Sequence, residues 1–384
     1  MHPEIRQLIQ AIHDCSSRVV VVVAGAGTQA LSDLLGVAGA TRTLLEAFVP
    51  YSEASFDEFL GQKPPQYVAD ETAHLLAGRA FTRARWLDSA ASPQIGLACT
   101  ATIITDRPKL GEHRAHIATW QPTRMVSYSL YLDKGSRDRE GEEDLVSRVL
   151  LNGLAKACGI KQQIPVPFVP DDKLEIKEHN FAQMVRRLQQ GEISHFSISD
   201  HGETTAAGSP PPILLSGSFN PLHNGHLTLA RIAGEVLGQE VAFELSVMNA
   251  DKPPLPEELA LDRIAQFAGR YSIFAGNAPT FIEKARLYPG TTFLVGYDTA
   301  ARILHTRYYG NSNEAMEKAV AEIGKLGCRF LVAGRALNGG QFLQVEDLSI
   351  PYRFQELFRG IPPNLFRVDV SSTELRRTGR KGSR

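Results

Sequence analysis

Two histidines, His223 and His226, stand three residues apart in the string GSFNPLHNGH (217–226), with Asn224 and Gly225 between them. Imidazoles at that spacing on a turn can face one ligand together, and Gly225 lets a flat or charged group approach the backbone without a Cβ in its way. A second string, VSSTELRR (370–377), places Ser371, Ser372 and Thr373 where a helix would open and Arg376 just beyond. Hydroxyls and unpaired N–H groups at a helix start, joined by a planar guanidinium, suit phosphate oxygens. Each string also has a plainer meaning when taken alone. The first reads as surface or core histidines, the second as a Ser/Thr helix cap followed by solvated arginines. Metal ligation is a third reading of the histidines, but no further His, Cys or carboxylate lies at ligand spacing nearby, so no protein-built metal site is expected.

Such groups need elements to aim them. The first string runs out of the apolar stretch ILLSGS, from Ile213, into the amphipathic HLTLARIAGEVLG. Strand, turn and helix in that order leave backbone N–H groups and a positive dipole end at the turn. The alternation continues through VAFELSV, ELALDRIAQFAGR, TTFLVG, NEAMEKAVAEIGKLG and CRFLVAG, which predicts an α/β domain with a parallel sheet over 213–384.

The first half alternates as well. A weak helical pattern over 3–14 leads into VVVVVAGAG (19–27), whose β-branched residues read as a buried strand. TQALSDLLGV continues as a helix, RTLLEAFVPY as a strand or helix–strand unit, and 68–85 as an Ala/Leu-rich helix. IGLACTATII, EHRAHIATW and MVSYSLYL read as strands and EEDLVSRVLLNGLAKAC as a closing helix, giving a second α/β domain over 1–163. Between the two, the proline-rich stretch 164–212 reads as a linker holding one helix and a short hairpin.

Bulk properties narrow the function classes. With 41 Lys and Arg against 42 Asp and Glu in 384 residues, no global basic field exists for wrapping nucleic acid, and none is expected as a partner. Cys15, Cys99, Cys158 and Cys328 never fall in a C-x-x-C pair, which speaks against a zinc ribbon, a redox motif or a disulfide framework. The valine run is too short to span a bilayer, so a soluble, cytoplasmic protein with no membrane partner is expected.

GSFNPLHNGH resembles the H-x-G-H signature of the nucleotidylyltransferase superfamily, and VSSTELRR resembles its second signature, in the same order and at a fitting separation. The resemblance implies a Rossmann-like parallel sheet whose turn grips a nucleoside triphosphate. GSFNP with SSTELRR is closest to nicotinamide mononucleotide adenylyltransferases, whereas cytidylyltransferases and pantetheine-phosphate adenylyltransferases more often carry Asp where Asn220 stands. NADKPPL, LVGYDTAARIL and FLVAGRALN match that family more loosely. By this resemblance His223, His226 and Arg376 are catalytic, and Gly217, Ser218, Phe219, Asn220, Lys252, Gly296, Asp298, Arg335, Ser371, Ser372 and Thr373 bind the nucleotide. For Lys252, Asp298 and Arg335, a solvated lysine, a helix cap and a surface arginine stand as equal readings. The implied reaction is adenylyl transfer from ATP, with Mg²⁺, to nicotinamide mononucleotide or its acid form, in NAD synthesis. Another phosphorylated acceptor, a cytidylyl donor, or a non-catalytic pyridine-nucleotide sensor stand as alternatives.

The first domain admits two readings. VVVVVAGAGTQA fits a G-x-G-x-x-A dinucleotide fingerprint, with Glu46 at the distance of a ribose-binding acid. Against that, DRPKLGEHRAHIA with GATRTLLEAFVPYS resembles the C-terminal domain of the CinA competence-damage family, which includes nicotinamide mononucleotide deamidases; the resemblance covers roughly residues 5–160. That family carries Glu-Ser-Cys-Thr-Gly-Gly after its first strand, where this chain has Gly25, Ala26, Gly27, Thr28, Gln29 and Ala30. The serine needed for amide hydrolysis is replaced by alanine, so deamidase activity is not expected. Thr28, Tyr51 and Thr100 match family positions and imply a retained nucleotide pocket. The same resemblance implies a capacity for self-association through this domain.

Overall fold

The computed structural model describes residues 1–88, 92–107, 110–206, 208–248, 253–336 and 342–366. The chain forms two compact units: one comprises Met1–Ala182 with Ser199–Glu203 and Phe267–Arg270, and the other Gln183–Ile198, Thr204–Gln266 and the chain from Tyr271 onward.

The first unit is built on a six-stranded sheet in the order Leu44–Phe48, Arg18–Ala24, Gln94–Thr102, His113–Trp120, Arg124–Leu132, Lys173–Asn180. The first three strands run parallel and the rest pair antiparallel. Val19 through Val23 have no exposed surface, as a central strand covered on both faces requires. Helix Asp70–Leu87 lies across the sheet at Gly96, where a Cβ would sit 2.0 Å from the Ala77 carbonyl oxygen. Helices Pro3–Asp14, Thr28–Gly36 and Arg139–Ala157 bury Leu8, Ile9, Ile12, Leu34, Leu150 and Leu154 in a separate apolar core with Val19, Val21 and Val23.

The second unit holds an eight-stranded sheet ordered Phe358–Gly360, Arg329–Ala333, Thr292–Gly296, Ile213–Ser216, Val241–Ser246, Ile273–Gly276, His195–Ile198, Thr204–Thr205. The first six run parallel to one another. In chain order those six read 6-5-4-1-2-3, the doubly wound arrangement that reverses beside its first strand. Phe293, Phe330, Val320 and Ile323 fill the core on one face, with Phe330 stacked on Phe358 at 4.7 Å.

The stretch 164–212 differs from its reading as a linker. Lys173–Asn180 is the sixth strand of the first sheet, helix Phe181–Gln189 follows it in the chain, and His195–Ile198 pairs antiparallel with Ile273–Gly276. KLEIKEHN lacks the apolar alternation of a half-buried strand because it lies at the sheet's border and is largely exposed.

Candidate active site

The turn 217–223 leaves the C-terminal end of Ile213–Ser216, and helix Asn224–Leu237 begins with His223 as its N-cap. That end adjoins the point where the strand order reverses, between Ile213–Ser216 and Thr292–Gly296. Open parallel sheets bind ligands in the crevice at such a reversal, because connections leaving to opposite sides part there.

Gly217 donates its N–H to the Glu244 carbonyl at 3.0 Å, carrying the pairing with the neighbouring strand one residue into the turn. A Cβ on Gly217 would lie 2.7 Å from the Phe219 ring, so only glycine lets that ring fold back. Phe219 is 1% exposed and adopts φ 42°, a left-handed backbone uncommon for a bulky residue. Its ring meets Phe243 at 5.6 Å and His226 at 5.2 Å, both edge-on. Ser218 and Asn220 are exposed on the turn, and the Asn220–Pro221 peptide is cis.

The imidazoles of His223 and His226 stack, with centroids 3.8 Å apart and planes inclined by 28°. The His223 backbone N–H donates to Nδ1 of His226 at 3.3 Å, which leaves Nε2 to carry the proton of a neutral His226. Burial, reinforced by His223 beside it, pushes the His226 pKa down to about 3. Burial also lowers that of His223, which is 7% exposed. Both rings are therefore neutral near pH 7 and act as hydrogen-bonding groups, not as cations.

Gln266 is a residue that the sequence does not single out. Its Nε2 donates to the Phe219 carbonyl at 2.9 Å and its Oε1 accepts from the Leu222 N–H at 2.8 Å. One neutral side chain thus clamps both flanks of the Asn220–Pro221 bend. Beneath the neighbouring strand, Glu244 is wholly buried and its carboxylate takes Lys284 Nζ at 2.5 and 2.6 Å.

Across the reversal point, Gly296 caps helix Tyr297–Ile303 and is exposed, with Asp298 in the first turn. Asp298 forms an ion pair with Arg335, which follows the next strand, so two of the loosely matched residues meet at the C-terminal edge of the sheet. Lys252, Ser371, Ser372, Thr373 and Arg376 lie outside the described residues.

The first unit has a strand-to-helix turn of its own. Gly25 and Gly27 adopt φ 89° and 94°, and a Cβ on Gly25 would lie 1.9 Å from the Ala101 carbonyl oxygen. The N–H groups of Gly27 and Gln29 donate to Glu143 Oε1 at 3.0 and 2.9 Å, and the Thr28 hydroxyl donates to the same oxygen at 3.1 Å. A carboxylate from helix Arg139–Ala157 thus occupies the place where the turn and the helix dipole would hold an anion. The expected pocket residues do not converge as free groups. Thr28 is engaged by Glu143, Thr100 donates to the Tyr67 carbonyl at 2.7 Å while 1% exposed, and Tyr51 is 75% exposed. Glu46, the acid of the dinucleotide reading, is held by Arg83 at 2.7 Å. Ala26 is fully buried.

Among the described residues no group of three or more His, Cys, Asp or Glu could hold a metal ion, and no helix is long and apolar enough to cross a membrane.

Residues 214–378 match the cytidylyltransferase-like family model. Over 134 residues the chain is 27% identical to a "Putative nicotinamide mononucleotide adenylyltransferase" from Schizosaccharomyces pombe, covering 32% of this chain and 51% of that protein. Over 175 residues it is 27% identical to a "Probable nicotinate-nucleotide adenylyltransferase" from Gloeobacter violaceus, covering 42% of this chain and 81% of that protein. The chain thus spans about half the length of the yeast relative. Among solved structures it is similar to the competence/damage inducible protein CihA from Agrobacterium tumefaciens, at 14% identity over 42% of this chain and 98% of that one, with a TM-score of 0.33. It is likewise similar to a competence-damaged protein (CinA) superfamily protein from Escherichia coli, at 16% identity over 40% of this chain and 88% of that one, with the same TM-score. The part of this chain that is similar to the cytidylyltransferase-like family is thus residues 214–378, which hold the His223–His226 turn.

Proposed function

We propose that the second unit transfers the adenylyl group of ATP to the 5′-phosphate of nicotinamide mononucleotide or its acid form, releasing pyrophosphate. The observation that carries this reading is the stacked, neutral His223–His226 pair on a turn clamped beside the reversal point of a doubly wound sheet. The two adenylyltransferase relatives favour a pyridine mononucleotide as acceptor.

The attacking phosphate is already ionised at neutral pH, so the reaction needs no general base and no covalent intermediate. What it needs is two polyanions aligned in line and donors aimed at the charge that grows on the α-phosphate and the leaving pyrophosphate. His223 donates to the phosphate under attack, and His226, in the first turn of its helix, holds a neighbouring phosphate or the ribose. Lys252, Arg376 and the turn Ser371–Thr373 balance the triphosphate in the roles that the family resemblance gives them. Asp298, at the ribose position, is oriented by Arg335. A Mg²⁺ bound with the triphosphate would offset phosphate charge beside the neutral donors His223 and His226.

The first unit, on this proposal, hydrolyses no amide: Ala26 supplies no nucleophile and Glu143 fills the donors of the turn. Its role is structural or binding.

The test is to incubate the whole chain with ATP, Mg²⁺ and each pyridine mononucleotide and to identify the product by mass. A dinucleotide with pyrophosphate is expected, and His223→Ala should slow its formation about 10²–10³-fold. No dinucleotide from either mononucleotide, with turnover of CTP and another phosphorylated acceptor, would overturn the proposal. Acidic mononucleotide formed from the amidated one without ATP would overturn the reading of the first unit.

A further inference from the structure

Side chains alternate between the two faces of a strand, and Val241–Ser246 sends Phe243 and Leu245 to one face and Ala242 and Glu244 to the other. Ala242 lies in the apolar core with Leu214, Phe274, Tyr288 and Phe293, so the same face carries a carboxylate into that core. Glu244 has no exposed surface. From helix Phe281–Leu287, Lys284 donates from Nζ to both carboxylate oxygens, at 2.6 and 2.5 Å, and is itself buried. A Cβ on Gly276 would stand 3.1 Å from the Tyr288 hydroxyl and 3.9 Å from Glu244 Oε1, so the neighbouring strand meets the pair with bare backbone.

Stability does not explain an ion pair in such a place. Taking both charges out of water costs about what their attraction returns, and apolar side chains of similar volume hold a core equally well. What the pair adds is geometry. Two oxygens on one ammonium fix residue 244 against the helix, and the histidine turn starts from that residue: Ser216 stands opposite it in the strand register, and Gly217 donates to its carbonyl at 3.0 Å. Gln266 clamps the bend further on, at Phe219 and Leu222. The start of the turn thus hangs on a residue that is tied to a helix by charge.

We propose that the buried Glu244–Lys284 pair is a positioning device for adenylyl transfer, fixing where Gly217 leaves the sheet and so where His223 and His226 meet the reacting phosphates.

The inference rests on the reading of the second unit as an adenylyltransferase. Wholly buried, Glu244 meets no substrate and acts through Gly217. A displacement of about 1 Å in a group that aligns reactants can cost on the order of 10²-fold in rate, even when its cause lies away from the chemistry. Methionine in place of both charges fills the volume but lets residue 244 shift against the helix. Binding then survives and the rate does not.

The test combines Glu244→Met with Lys284→Met in the full-length chain. This double variant should melt at or above the wild-type temperature. Its kcat for pyrophosphate release should fall about 10²-fold, with KM for ATP and for the mononucleotide within about threefold. Arg286 of the same helix pairs with Glu322 at the exposed surface, at 2.8 Å, and Arg286→Met with Glu322→Met should leave both constants unchanged. Glu244→Asp keeps both charges but draws the carboxylate back by one methylene; it serves if the double variant does not fold, and about a tenfold loss of kcat is expected at near wild-type melting temperature. A readout without substrate separates this inference from the reaction it serves: in the isotope-labelled chain the ring signals of His223 and His226, followed by NMR, should move in either Glu244 variant, while that of His116 in the first unit stays. A folded Glu244 variant with wild-type kcat, a loss confined to KM, an equal loss in the exposed-pair control, or unmoved His223 and His226 signals would overturn the proposal. A wild type that makes no dinucleotide would overturn the assigned reaction instead, and the ring signals would still decide whether the pair sets the turn.

Discussion

Two strand-to-helix turns rich in small residues stand in this chain, and they are closed in opposite ways. At residues 25–30 the donors of Gly27, Thr28 and Gln29 converge on a carboxylate supplied by the same unit, Glu143. At 217–223 the bend is clamped by a neutral amide, Gln266, and its end carries two uncharged imidazoles. A loop that already holds an anion has spent its donors, whereas a loop clamped by a neutral amide has no built-in carboxylate on those bonds. Glycine turns after strands are thus no guide to function until the groups facing their N–H groups are known.

The contrast can be broken most sharply at His223. His223→Ala should lower pyrophosphate release about 10²–10³-fold, the loss typical of one donor to a developing oxyanion, while Glu143→Gln should leave that rate unchanged. Equal effects of the two would erase the distinction between the turns.

Acid should destabilise both units, through different histidines. Burial holds His116, hydrogen-bonded to Ser129 at 2.9 Å in the first sheet, down to about 4, and His226 down to about 3. A histidine depressed in the fold binds more protons when unfolded, so its contribution is full above the unfolded pKa of about 6.5 and is lost as pH falls toward the folded value. Urea unfolding followed from pH 7 to pH 4 should show a loss on the order of 3 kcal/mol from His116. His116→Asn should flatten that slope in the first unit and leave pyrophosphate release at pH 7 as it was.

Gln266 comes next in size. Gln266→Ala removes two hydrogen bonds from the bend and should cost about 1–3 kcal/mol in transition-state stabilisation. If Gln266 positions the histidines, the loss falls on kcat more than on KM; a loss of thermal stability alone would make it merely structural. The smallest effect belongs to Glu143→Gln, which keeps an acceptor oxygen for Gly27 and Gln29 but removes its charge. A drop of about 1 kcal/mol in the first unit's stability is expected, measured by thermal unfolding.

What was legible in the sequence follows the range of the forces involved. The valine run and the strand–turn–helix around GSFNPLHNGH were readable because burial and turn chemistry act over a few residues. Asp298 and Arg335 were flagged by resemblance, but their pairing needs two strands to lie side by side. Gln266 escaped because a neutral amide some forty residues beyond the turn carries no local signal. Glu143 escaped because it reads as an ordinary first-turn acid of a helix, while the N–H groups it serves lie more than a hundred residues away. The strand Lys173–Asn180 escaped because a border strand satisfies its backbone on one side only and need not bury its side chains.

That border strand also governs how copies of this molecule can crowd together. Lys173, Glu175, Lys177 and Glu178 are exposed along it, with Lys177 drawn to Asp70 at 3.1 Å and Glu178 to Arg124 at 3.6 Å. A neighbour that tried to prolong the sheet would have to strip water from alternating charges and compete with partners already engaged. Such a rim resists runaway polymerisation while costing the interior nothing.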